Sequence, residues 1–158
     1  MADEPAGTWT RTSRVIKARP TELYEAFMDP AALVDWLPPA GMTGEIHEFD
    51  ARIGGGYRMT LTYPPNEHVF RGKTSDRKDM VKVRFVQLIP PSRIVEAVSF
   101  ATTDPAFFGE MRMTAMFQEV ASGTEVTLQF ENLPSGLRAE DNETGSRLSL
   151  EQLARRFE

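Results

Sequence analysis

The sequence contains no cysteine and only two histidines, His47 and His68. The absence of cysteine excludes disulfide bonds, thiolate zinc sites, iron–sulfur clusters and cysteine nucleophiles. Two histidines are too few for a histidine-rich metal site, and the carboxylates show no spacing that would replace them. We therefore expect no metal and no other cofactor.

Long apolar runs and an excess of positive charge are also missing. No run approaches the ~18 apolar residues that a membrane-spanning helix needs. The chain has 18 basic and 23 acidic residues, whereas nucleic-acid-binding surfaces need clustered Lys and Arg. The N-terminal segment is acidic and lacks the basic-then-apolar order of a secretory signal. These features predict a cytoplasmic protein that binds no nucleic acid and does not span a membrane.

Length and composition are those of one globular domain. The 158 residues are 41% apolar and 26% charged, and a domain of this size buries roughly 70% of its unfolded surface. No linker, repeat or low-complexity tract divides the sequence. We predict a short disordered leader at residues 1–7 and a single domain at residues 8–158.

The first part of the domain predicts one strand and two short helices. The strand covers residues 9–17, and Pro20 then suits the first turn of a helix. Asp29-Pro30 interrupts that helix, because a residue before proline avoids the α conformation. The second helix is predicted at residues 31–36.

From position 43 onward the hydrophobic period changes to two, which is typical of strands in an antiparallel sheet with one wet face. Strands are predicted at residues 43–49, 56–63, 69–75, 81–89, 93–101, 110–119 and 124–131. The last two are joined by a short loop that ends at Gly123, as a hairpin requires. Closing this hairpin pairs Phe117 with Val126, Ala115 with Leu128 and Met113 with Phe130, so that all six side chains share one face.

The last segment, from about 141 to 158, predicts a helix. Leu150, Leu153, Ala154 and Phe157 recur at helical spacing and form an apolar seam that must cover apolar surface elsewhere. The predicted fold class is therefore α+β, with a curved antiparallel β-sheet wrapped around a long C-terminal α-helix. A bent sheet and a helix cannot interdigitate along their full length, so we expect an apolar cavity between them.

Two local features invite a functional interpretation. Gly54-Gly55-Gly56 is reminiscent of a phosphate-binding loop, but such loops precede a helix, and these glycines precede a strand. They predict a tight turn or a bulge.

Glu96 is the candidate catalytic residue, with Arg112 as a candidate partner. By strand parity Glu96 shares a face with three apolar residues, and a carboxylate there is suited to acid–base chemistry. Alternatively, Val95 and Ala97 face the core and Glu96 is solvated. We favour this second interpretation, and with it Arg112 as an ordinary surface arginine.

Several short segments occur in a familiar order over residues 10–157. They are Arg14-Val-Ile-Lys-Ala-Arg-Pro20 running into Leu23-Tyr-Glu-Ala-Phe27, Asp29-Pro30 followed by Trp36, Phe49-Asp-Ala-Arg52 before Gly54-Gly55-Gly56-Tyr57-Arg58, and Leu150-Glu-Gln-Leu153. Together they resemble the START-like (SRPBCC) superfamily and its helix-grip fold. Within it, the chain is most similar to the group related to the C-terminal domain of the heat-shock protein 90 ATPase activator. That group commonly has Gly-Trp at the entry to the last helix, where this chain has Gly145-Ser146.

The resemblance leaves three functions open. We expect binding of a small hydrophobic molecule, whether lipid, sterol-like or aromatic, rather than catalysis. The alternatives are a protein-interaction domain like the chaperone ATPase activator, with a chaperone as partner, and an enzyme like the polyketide cyclases and aromatases, which would need Glu96 and Arg112 inside the cavity. The predicted cavity lining is Trp36, Phe49, Tyr57, Met59, Phe70, Phe85, Phe100, Met111, Met113, Leu128, Phe130, Leu150, Leu153 and Phe157.

Overall fold

The computed structural model describes residues 7–38, 41–63 and 78–158. The predicted strand at 69–75, the candidate lining residue Phe70 and all but the last residue of the predicted leader lie outside these ranges. The elements in chain order are β1 Thr10–Ile16, α1 Pro20–Met28, α2 Pro30–Trp36, β2 Thr43–His47, β3 Gly56–Thr62, β4 Lys78–Ile89, β5 Arg93–Phe100, a 3-10 turn Pro105–Phe107, β6 Met111–Val120, β7 Gly123–Glu131 and α3 Ala139–Arg155.

The described strands form one antiparallel sheet in the order β1-β7-β6-β5-β4-β3-β2. The chain therefore runs from β2 to β7 as a meander, and β1 closes the row beside β7. The β6–β7 hairpin has the predicted register, since all three expected residue pairs face each other. The predicted α+β architecture, a curled sheet with a long C-terminal helix, is confirmed.

Two short helices follow β1, as the sequence predicts. Pro20 occupies the first turn of α1, and Asp29 ends it in an extended conformation. The Asp29 side chain then accepts a hydrogen bond of 3.0 Å from the N–H of Ala31 and so caps α2. At the far end of α2, the indole N–H of Trp36 donates to the carbonyl of Ala26 at 2.9 Å, which ties the two helices together.

A bulge and a tight turn shape the strands around the middle of the sheet. The β4–β5 register shifts between Phe85 and Gln87, and a bulge of this kind bends and twists its strand. The glycine run before β3 is a turn, as predicted. Gly54 has φ of +86°, which favours glycine, and its N–H donates to the carbonyl of Phe85 at 2.9 Å.

Helix α3 packs chiefly against β1 and α2. Side chains on α3 donate to carbonyls at the end of α2: Ser149 to Leu37 at 2.6 Å, and Gln152 to Trp36 at 2.8 Å. The helix is thus held at the edge strand and by α2, rather than pressed onto the central strands. None of the described helices has the length and hydropathy to cross a membrane.

Candidate functional site

A cavity of about 250 Å³ lies between the concave face of the sheet and the N-terminal half of α3. Its sheet wall is drawn from β3 to β7. On the helix side, Phe27 of α1 and Leu33 of α2 border it, and α3 contributes Asp141, Asn142, Gly145, Ser146 and Ser149. These residues share one face of α3 because they recur three or four positions apart. Their side chains are short, so they leave the space beneath the helix unfilled.

Seven of the residues predicted to line a cavity lie on this wall, all of them on the sheet side. They are Tyr57, Met59, Phe100, Met111, Met113, Leu128 and Phe130. Side chains alternate between the two faces of a strand. Alternation predicts which residues of each strand share a face, and the apolar character of these seven indicated that their face is the concave one.

The three predicted lining residues at the C-terminal end of the chain lie elsewhere. Leu150 and Leu153 are buried in the apolar core, and Phe157, beyond the end of α3, packs partly against that core. At this end α3 meets α2 directly. The strongest apolar seam of the helix therefore packs closely, and the open space lies where the helix side chains are short.

Three predicted aromatic residues also pack beside the cavity rather than on it. Trp36 is fully buried, with its ring centroid 4.6 Å from that of Phe27. Phe49 stacks on Tyr57 with centroids 5.3 Å apart and meets the ring of Phe85 at 5.8 Å. Each of these rings has a close aromatic partner, so each fills core volume.

Glu96 lies on the cavity wall in the middle of β5, opposite Phe85 on β4 and Met113 on β6. The residue is 6% exposed, so the interpretation that it is solvated is wrong. The reason is that β5 is a central strand and both of its faces are covered. Val95 and Ala97 are buried as well, although neither belongs to the main apolar cluster.

The Glu96 carboxyl faces the cavity without a hydrogen-bond donor from the described ranges 7–38, 41–63 and 78–158. Burial raises its pKa from 4.5 to about 8, because low-polarity surroundings disfavour the charged form. At pH 7 most of the carboxyl is therefore protonated. It can donate a hydrogen bond, or give up its proton to a stronger base.

The predicted pair of Glu96 with Arg112 does not form. Arg112 is exposed and lies opposite Ala97 on β5. Its neighbour Met113 faces the cavity, so alternation along β6 turns Arg112 to the convex side. The alternative interpretation of Arg112 as a surface arginine is confirmed.

Two more polar groups flank the apolar wall. Burial, and to a smaller extent the charge of Glu96, raises the pKa of the Tyr57 hydroxyl well above its ordinary value, so this hydroxyl stays protonated. Asp79 is almost fully buried and accepts a hydrogen bond of 2.7 Å from the Tyr63 hydroxyl. Nowhere in the described residues do three His, Asp or Glu side chains cluster as metal ligands would.

Sequence reasoning missed the polar part of the wall. Asp79 was missed because the predicted strand began at residue 81, whereas β4 begins at Lys78. Asn142, Ser146 and Ser149 were missed because their small polar side chains add nothing to the apolar seam of the helix. The signal was present: these three positions continue the Leu150–Leu153 seam toward the start of α3 at the same helical spacing.

Solved structures with the same fold include proteins from several bacteria. Protein CV1439 from Chromobacterium violaceum is 31% identical, with a TM-score of 0.83 over 94% of this chain and 96% of that one. A protein from Rhodobacter sphaeroides is 22% identical, with a TM-score of 0.76 over 97% and 94% of the two chains. DynU16, a protein of the dynemicin biosynthetic locus, is 19% identical, with a TM-score of 0.66 over 94% of this chain and 46% of that one.

Among curated proteins, no sequence matches this chain. The family model described as "Activator of Hsp90 ATPase homolog 1-like protein" matches residues 17–158, which is nearly the whole domain. The match agrees with the order of short segments seen in the sequence and with the curled sheet and C-terminal helix. The chain belongs to the family of Activator of Hsp90 ATPase homolog 1-like proteins, and so to the START-like (SRPBCC) superfamily.

Proposed function

We propose that the chain binds a small apolar molecule in the cavity between the sheet and α3. The observation that carries this proposal is the cavity itself, whose sheet wall consists largely of Met, Phe, Leu and Val side chains with a few polar groups among them. Such a combination of apolar surface and sparse polar groups is typical of small-molecule sites. The family match supports a ligand-binding fold.

The size of the cavity narrows the class of ligand. An engineered apolar cavity of about 150 Å³ holds benzene, and drug-sized ligands occupy about 300–1,000 Å³. The volume of about 250 Å³ lies between these. It suits a molecule of one or two rings better than a sterol or a long-chain lipid.

Three methionines on the sheet wall of the cavity favour a binding site that can adapt its shape to the ligand. Met59, Met111 and Met113 are buried on the concave face of the sheet. Their unbranched thioether side chains change rotamer easily and make favourable contacts with aromatic rings. An aromatic ligand is therefore the best fit to this wall.

Filling the cavity from the helix tests the proposal. Ser146 borders the cavity, whereas the next residue, Arg147, is exposed. We expect Ser146→Trp to weaken binding of an aromatic probe such as naphthalene methanol at least tenfold, because the indole occupies the ligand's space. Arg147→Trp is the matched control and is expected to bind as the unmodified chain does. The measurements are probe titration by calorimetry and native mass spectrometry of freshly purified protein for a co-purified apolar molecule.

The result that contradicts the proposal is equal binding of the probe by Ser146→Trp and the unmodified chain. Absence of any co-purified molecule, together with no thermal shift from an aromatic library, would also count against it. Circular dichroism establishes that both variants are folded before either result is read.

Acid–base catalysis is a second candidate function, favoured by the burial of Glu96 inside the cavity. A general acid or base must lie where the substrate binds, with a pKa near the working pH. Glu96 meets both conditions. Catalysis differs from plain binding in that the bound molecule changes covalently, which mass spectrometry of the incubated probe detects.

An interaction with a chaperone is the third candidate, supported by the name of the family. This function predicts a core filled with side chains, because nothing in it requires a cavity. The observed cavity therefore favours ligand binding. An affinity pull-down against the chaperone that recovers nothing would dispose of this candidate.

A further inference from the structure

Apart from tyrosines, the ionisable side chains on the described cavity wall are all carboxylic acids. They are Glu96 on β5, Asp79 on β4 and Asp141 on α3, and this part of the wall contains no Lys, Arg or His. The titratable hydroxyl of Tyr57, on β3, faces the same space. A cationic ligand therefore finds carboxyl groups that can ionise beside it, whereas an anionic ligand finds no basic side chain to pair with.

Glu96 differs from the other acids in its surroundings. Asp79 accepts a hydrogen bond from Tyr63, and Asp141 is exposed to water. Glu96 is 6% exposed, and no hydrogen bond to its carboxyl is found in the described residues. A carboxylate in this position needs a partner, because an isolated buried charge is costly.

A ligand can supply that partner. A protonated amine at the buried end of an apolar molecule would pair with the Glu96 carboxylate while its rings contact Met113 and the other apolar side chains. A ligand carboxylate would place a second acid beside the first. A neutral ligand would leave the carboxyl without its charge partner.

From this arrangement we propose that the cavity selects apolar amines of one or two rings, held by an ion pair between the ligand ammonium and Glu96. The proposal rests on the proposed binding function and adds to it the polar group by which the ligand is recognised.

The number of protons released when the amine binds provides a second test of the proposal. Glu96, with a pKa of about 8, is mostly protonated at pH 7 before the ligand arrives. A primary alkyl amine has a pKa of about 10.4, as in the lysine side chain, so it arrives as the ammonium and keeps its proton. Forming the ion pair therefore ionises Glu96, and close to one proton leaves to solvent for each amine bound.

The test uses three probes with one ring system: naphthylmethylamine, naphthalene methanol and naphthoic acid. Each is titrated by calorimetry at pH 7 into the unmodified chain, Glu96→Gln and Glu119→Gln. Glu119 is exposed and lies away from the cavity, so its variant makes the same Glu-to-Gln substitution away from the ligand. Repeating the amine titration in buffers of different ionisation enthalpy counts the protons released.

We expect the unmodified chain and Glu119→Gln to bind the amine at least tenfold more tightly than the alcohol, with the acid weakest. Glu96→Gln is expected to lose the amine preference and to bind the amine no more than about twofold more tightly than the alcohol. Release of close to one proton on amine binding is expected for the unmodified chain and none for Glu96→Gln.

The possible failures are distinguishable. Equal binding of amine and alcohol by the unmodified chain overturns the amine inference and leaves the binding function standing. An amine preference that survives in Glu96→Gln also overturns the inference. If none of the three probes binds, both the inference and the proposed apolar-aromatic ligand class fail. Tighter binding of the alcohol than of the amine also overturns the inference. It would indicate that the ligand accepts a hydrogen bond from protonated Glu96 instead of forming an ion pair with it.

Discussion

At the scale of single residues, the proposed ligand recognition and the candidate acid–base chemistry both depend on Glu96. Its position on the apolar face was readable from strand parity, but its burial was not, because Val95 and Ala97 made the opposite face of β5 equally apolar. Only the whole sheet decides which face of a central strand meets the main core. Because the face of Glu96 was undecided, a pairing of Glu96 with Arg112 was conceivable. Alternation along β6 places Arg112 on the opposite face of the sheet, so the pair does not form.

Burial of Glu96 makes a prediction for stability against pH. The carboxyl has a pKa of about 8 in the folded chain against an ordinary 4.5, so the folded state holds its proton longer than the unfolded state does. The cost of ionising it is absent below about pH 4.5 and grows as the pH rises toward 8. Glu96→Gln removes this cost. We expect its gain in free energy of unfolding over the unmodified chain to increase by on the order of 3 kcal/mol between pH 5 and pH 8.

Urea denaturation of both proteins at several pH values measures this gain. Glu119→Gln serves as the control, because Glu119 is exposed and lies away from the cavity. Parallel curves for Glu96→Gln and the unmodified chain would mean that the carboxyl is solvated.

At the scale of elements, the strands were predicted better than the long helix. Alternation gave the β6–β7 register, and the Asp29-Pro30 break gave the boundary between α1 and α2. For α3 the apolar seam correctly indicated a helix packed on one side. It did not indicate which half of that helix packs closely, because this depends on where α2 lies.

The turn before β3 yields a prediction about backbone packing. A Cβ atom on Gly56, whose φ is +156°, would overlap the carbonyl oxygen of Val83 on β4. A Cβ on Gly54, at φ of +86°, would meet no atom within 4 Å. We therefore expect Gly56→Ala to lower the free energy of unfolding by roughly 2–4 kcal/mol and Gly54→Ala by only about 1–2 kcal/mol.

Urea denaturation of the two alanine variants side by side checks this expectation. The two sites are two positions apart in one turn, so a general effect of added side chains would appear equally in both. Equal loss of stability, or a larger loss for Gly54→Ala, would contradict the described pairing of β3 with β4.

At the scale of the whole molecule, the proposed binding function depends on a gap between elements. Helix α3 is held by β1 and α2, and its small residues Gly145 and Ser146 border the cavity across from the sheet. The sequence predicted such a gap and many of the residues on its sheet wall. It indicated the helix wall only through the helical spacing that the small polar residues share with the Leu150–Leu153 seam. Such residues give no hydrophobic signal, and the distance between elements is set by contacts far away in the sequence.

The methionines provide the most direct measurement of whether this gap is a binding site. Met42, Met59, Met111 and Met113 line the cavity, whereas Met28, Met80 and Met116 lie elsewhere in the described structure. With ¹³C-labelled methionine methyl groups, titration of naphthylmethylamine is expected to shift the four cavity methyl signals and give nuclear Overhauser contacts from them to the ring. The signals of Met28, Met80 and Met116 should stay in place. Shifts confined to Met28, Met80 or Met116, or no shifts at all with saturating probe, would contradict the account.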